Sequence, residues 1–168
     1  MTIPIIIAVL LLLLCLFLIA CKRQATKQAE LWNQAPAVEA NFDTPEGALL
    51  MLEEAYKTKD IEVVVRCKGF EQEAKLMLTE AKLKFTPDAE LLKETSDTLE
   101  LAFRAEIKQT GFPDMNGIVC RATKREPYAD QVVVITEVCK YPDGGTSAQK
   151  VLVAQTANGW RVLHPLDR

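Results

Sequence analysis

Proton transfer near neutral pH calls for a group that titrates there, and this chain of 168 residues has one histidine, His164. It stands beside Pro165 at the end of an apolar run, and spacing pairs it with no second catalytic group, so it reads first as an end-of-strand histidine. Glu137 is the stronger candidate. It interrupts the run Val132-Val133-Val134-Ile135-Thr136-Glu137-Val138-Cys139. Turned inward, it would have its pKa raised by burial and could carry a proton. Alternation puts Val133, Ile135, Glu137 and Cys139 on one face, and Val132, Val134, Thr136 and Val138 on the other. The second set is the better core face, which predicts Glu137 on the less buried side. Tyr56 and Trp160 read as core aromatics that could also line a pocket. Pocket candidates are therefore Tyr56, Glu137, Trp160 and His164, and no residue is assigned as catalytic. Asp60, before Ile61, reads as a helix cap.

Five cysteines are present, Cys15, Cys21, Cys67, Cys120 and Cys139, with the spacing of neither a zinc site nor a dense disulfide framework. Cys120 and Cys139 could bridge adjacent strands if the domain lies outside the cytosol. Buried free thiols are the plainer reading. No phosphate-binding glycine loop, nucleophile elbow or Cys–His pair occurs, so neither a metal nor a cofactor is expected. Net charge is −3 with both signs mixed along the chain, which gives no basic stripe for nucleic acid.

The elements that must position these residues fall in two halves. Gln131 to Val162 reads as a three-strand meander, with turns at Tyr141-Pro142-Asp143-Gly144-Gly145 and Asn158-Gly159. A shorter strand, Gly117 to Lys124, precedes it. Upstream lie helices. Thr44-Pro45-Glu46 supplies a cap, a first-turn proline and an acid. Ala48, Leu49, Leu52, Ala55 and Tyr56 follow at helical spacing. A short helix runs from Ile61 to Cys67, and Phe70, Ala74, Met77, Ala81 and Phe85 mark a third. Thr86-Pro87-Asp88 opens a fourth, with Leu92, Leu99, Phe103 and Ile107 inward, which Gly111 and Pro113 stop. Helices followed by an antiparallel sheet of about four strands give an α+β fold.

Ile3 to Ala20 is apolar apart from Pro4, and about 18 residues span ~27 Å as a helix, close to the bilayer core. Residues 1–21 therefore read as a membrane anchor or lipoprotein signal, 22–43 as a linker and 44–168 as the domain. Leu18-Ile19-Ala20-Cys21 resembles a bacterial lipobox, with Cys21 as the lipidated residue. Lys22, Arg23 and Lys27 follow the run and no basic side chain precedes it, which instead favours an uncleaved span with a cytosolic domain. Leu31 and Trp32 could dock on the domain or sit at the membrane interface.

Thr44-Pro45-Glu46-Gly47-Ala48, Ala55-Tyr56-Lys57 through Asp60-Ile61-Glu62, and Asn158-Gly159-Trp160-Arg161-Val162 together resemble the NTF2-like superfamily. The resemblance covers about Phe42 to Leu163 and implies a cone: a curved sheet wrapped around N-terminal helices. The long fourth helix and the lack of a short strand between helices depart from the usual pattern. The chain also looks like NTF2-fold immunity proteins, which neutralise a toxin. The resemblance implies a non-catalytic, membrane-tethered domain that binds a protein partner, a toxin or envelope protein, or a small apolar ligand. The alternatives are a small isomerase or dehydratase using Glu137 or His164, and a structural part of an envelope assembly. It also implies a homodimer through an exposed sheet face, for which Val133 and Ile135 would serve.

Overall fold

The computed structural model describes residues 26–81 and 86–166. The anchor read at residues 1–21, with Cys15 and Cys21, lies outside them, as does Phe85. Among the described residues no helix is long and apolar enough to cross a membrane. Residues 26–34 are helical (α1). Four helices follow: α2 (Pro45–Thr58), α3 (Ile61–Cys67), α4 (Phe70–Glu80) and α5 (Ala89–Thr110). Strands β1 (Val119–Ala129), β2 (Val132–Lys140), β3 (Thr146–Thr156) and β4 (Gly159–Pro165) then form one antiparallel sheet in sequence order. The fold is α+β, with the element order expected of a cone.

Local chemistry sets the helix starts. The Thr44 side chain accepts from the Gly47 N–H at 3.1 Å, and Pro45 fills the first position, where no N–H is needed. Asp60 and Asp88 accept from the N–H groups of Glu62 and Leu91. Arg104 of α5 grips Glu62 of α3 with two nitrogens, at 2.6 and 3.0 Å, and Glu100 at 2.8 Å. Beyond that clamp α5 is loosely held. It packs on α4 through pairs such as Phe103–Phe70, yet none of its 22 residues is fully buried, and Leu101 is 69% exposed. Leu92, Leu99, Phe103 and Ile107 form its inner stripe but stay half-buried.

The sheet is covered on both faces, which corrects the expected orientation of β2. On one face Ala48, Leu49, Leu52 and Ala55 of α2 and Val64 and Cys67 of α3 pack on Ala122, Ile135, Val151, Val153 and Val162. On the other, Leu76 of α4 packs on Val132, Val134, Leu152, Ala154 and Leu163. Val133 packs against the first cluster and Ile135 is fully buried in it, so the exposed dimer face proposed for these two residues does not exist. Buried on both sides, β2 carries no useful hydrophobic alternation. Leu76 is buried where Met77 was expected; Met77 is 46% exposed.

The stretch read as a linker also carries structure. Trp32 on α1 is 7% exposed, with the Arg121 guanidinium 4.5 Å and Lys140 Nζ 4.3 Å from its ring. Arg121 donates to the Trp32 carbonyl at 3.2 Å, and Thr146 donates to Gln28 at 2.7 Å. Arg121 lies opposite Val138, so α1 covers the same outer face as Val138, which is fully buried. Of the two placements open to Trp32, the structure has it docked on the domain.

β1 extends past its expected end through two bulges to Ala129, and the chain reverses at Asp130-Gln131. Gly159 takes φ +95°, and a Cβ there would lie 2.4 Å from the Phe42 carbonyl oxygen. That oxygen accepts from the Trp160 N–H at 2.7 Å, so the approach to the β4 edge needs glycine.

Candidate functional site

Two places gather chemically active side chains. The first lies under α2. Leu49, Leu52 and Tyr56 form an apolar stripe, and Glu53 falls within it at the same helical spacing. Its carboxyl group meets that of Glu137 on β2, which is 3% exposed and so stands on the covered face, contrary to expectation. Directly across the β2–β3 ladder, Gln149 donates its amide to Glu137 Oε2 at 2.5 Å. Glu53 Oε1 and Glu137 Oε1 are buried with no amide or ammonium donor. Burial first, and the hydrogen bond and charge of Glu137 next, push the Glu53 pKa up to about 9, against a smaller opposing pull from Lys57.

Beside this pair Cys120 and Cys139 form a disulfide between directly opposed residues of β1 and β2, with Cα atoms 4.0 Å apart. Of the two arrangements open to these cysteines, the bridge holds rather than the plainer free thiols. Among the described residues Cys67 is the free cysteine; it is buried, and burial raises its thiol pKa. A cavity of about 250 Å³ lies against Cys120, lined also by Ala35, Pro36, Ala37, Val38, Leu50, Arg121 and Ala122.

The second place is an open groove of about 760 Å³. It lies between the α3–α4 junction, α5 and the β3–β4 turn, with Lys68, Phe70, Gln72, Ser96, Glu100, Gln155, Asn158 and Arg161 on its walls. Lys68 lies near the rings of Phe70 and Phe103, at 6.0 and 5.6 Å, and 3.9 Å from Glu73 Oε2. Burial lowers its pKa, while Glu73 and Glu106 oppose the shift. Arg161 stacks on Phe42 at 4.0 Å and donates to the Trp160 carbonyl at 2.8 Å. Burial lowers its pKa too, and among the described residues it has no carboxylate partner.

The candidates named from sequence do not converge. The polar partners of Glu137 are Gln149 and Glu53. His164, its ring 39% exposed, instead faces Glu73, with Nδ1 3.3 Å from Oε1. Tyr56 and Trp160 pack against the α2-side core, and burial raises the Tyr56 pKa to about 12. None of the four lines the groove. Sequence reasoning missed Glu53, Gln149, Lys68, Glu73 and Arg161 as site residues. Only Glu53 left a readable signal, an acid inside an apolar helical stripe. Lys68 and Arg161 come to one groove because residue 68 bridges Val162 in parallel and Gly69 donates to the Val162 carbonyl at 3.0 Å, a pairing without local pattern.

No family model matches the chain, and no curated protein does. Among solved structures it is similar to one described as a putative NTF2-like transpeptidase from Campylobacter jejuni. Identity is 13%, the match covers 68% of this chain and 94% of that one, and the TM-score is 0.33.

Proposed function

We propose that this is a non-catalytic, NTF2-like binding domain, tethered to a bacterial membrane outside the cytosol, that takes an acidic segment of a protein partner into the groove beside α5. The observation that carries this reading is the pairing of Lys68 and Arg161. Both cations lose hydration on folding, and both line one open cleft where Arg161 has no counter-ion among the described residues. A carboxylate arriving there regains what the guanidinium gave up. The groove is wide and largely polar, unlike the enclosed apolar pockets that take small molecules. The concave side under α2 is filled by Ala48, Leu49, Leu52 and Ala55, which speaks for a protein rather than a small apolar ligand inside the cone. A toxin is one form such a partner could take.

The Cys120–Cys139 bridge supports an oxidising compartment, and with it lipidation at Cys21 rather than an uncleaved span with a cytosolic domain. Palmitate labelling tests this part: the chain takes label and a Cys21→Ala variant does not, and equal labelling of both overturns it. A photo-crosslinking amino acid at Ser96, in full-length protein in its own membrane, tests the groove. The expected result is an adduct of one defined mass that is lost on Arg161→Gln and absent when the probe sits at Asp143. An adduct indifferent to Arg161, or no adduct from Ser96, overturns the groove reading.

A further inference from the structure

We propose that reduction of the Cys120–Cys139 bridge opens a binding site for a thiophilic divalent cation of the zinc class, with Cys120, Cys139 and Glu137 as its ligands. The two sulfur atoms and a carboxylate oxygen of Glu137 already lie within 4.8 Å of one another, all on buried residues. Tetrahedral zinc holds such atoms about 3.5–3.8 Å apart, so once the S–S bond is cut the two sulfurs must part to that spacing while the carboxylate oxygen is already within reach. The sheet supplies the geometry. Cys120 and Cys139 are directly opposed, and Glu137 follows two residues along the same face of β2.

A second, independent observation points to a ligand. Glu137 is 3% exposed, and its Oε1 has no amide or ammonium donor. Glu53 above it and Gln149 beside it are positioning residues, which hold the carboxylate as the outer partners of metal ligands do. Of the three ligands, Cys120 borders a cavity of about 250 Å³ from which a cation could approach.

The chemistry is closed. A dithiol gives two electrons and two protons to the bridge, becoming a disulfide itself and leaving Cys120 and Cys139 as thiols. Binding of the cation then releases both thiol protons to solvent. The oxidised and metal-bound forms exclude each other, so the same two sulfurs clasp β1 to β2 in either state.

The test is zinc uptake by the full chain in detergent, followed by competition with a chromophoric chelator, before and after reduction with a phosphine. The Cys120→Ser/Cys139→Ser variant keeps every other cysteine of the protein, Cys67 among them, and reports what they bind. The reduced protein should take up one zinc per chain beyond that variant, and the oxidised protein none beyond it. Glu137→Gln should weaken uptake on the order of tenfold or more. Where the reduced protein loses far-UV circular dichroism, zinc should restore the oxidised spectrum. Equal uptake in both redox states, uptake indifferent to Glu137, or failure of zinc to restore a lost fold would each overturn the site.

Discussion

Glu53 is buried against Glu137 in a place that water reaches poorly, and the sign of its effect on stability follows. The folded pKa of Glu53, about 9, lies above its ordinary value of 4.5. Its contribution is therefore full below about pH 4.5 and is lost as pH rises toward 9. Glutamine mimics the protonated acid, so Glu53→Gln should raise the denaturant midpoint at pH 8 and leave it nearly unchanged at pH 4. A lower midpoint at pH 8 would show that Glu53 is held as a carboxylate. Gln149→Leu should cost about 1–3 kcal/mol in urea unfolding, because Glu137 Oε2 loses its amide donor while staying buried. At this scale the sequence was half legible. Glu53 could have been found between Leu49 and Tyr56, but Gln149 could not, since only the β2–β3 register brings it opposite Glu137.

The elements were mostly readable because their ends are chemically marked. Thr44-Pro45, Asp60 and Asp88 open helices where the sequence puts them, and Thr44→Ala should cost about 1 kcal/mol by thermal unfolding. The strands were legible from their β-branched content, but not the face each turns inward. With α2 on one side and α1 and α4 on the other, both faces of β2 are apolar for the same reason, and polarity there no longer reports direction. Gly159→Ala should destabilise by about 1–3 kcal/mol, from strain at positive φ and a clash with the Phe42 carbonyl. A variant as stable as the parent would mean the 42–44 segment can lift off β4. Opening the Cys120–Cys139 bridge, which spans 19 residues, should cost about 3 kcal/mol in the metal-free protein.

At the scale of the whole molecule, what sequence reading missed is tertiary: α1 closes over the outer face and α5 stays half-covered. A polar, alanine-rich stretch with one tryptophan has no period to betray a docked helix, because two cations far along the chain, Arg121 on β1 and Lys140 on the neighbouring β2, make its seat. Trp32→Ala should cost about 3 kcal/mol and speed amide exchange at Val138, on the face α1 covers. Unchanged exchange there would show that α1 is dispensable to that face. The docked helix also fixes a distance. Four residues separate Cys21 from Thr26, and the five fully extended steps between them reach about 18 Å at most. With lipid at Cys21, the body would ride close against the headgroups on a short mooring. A partner would then have to travel to the bilayer, since the domain has no slack with which to search for it.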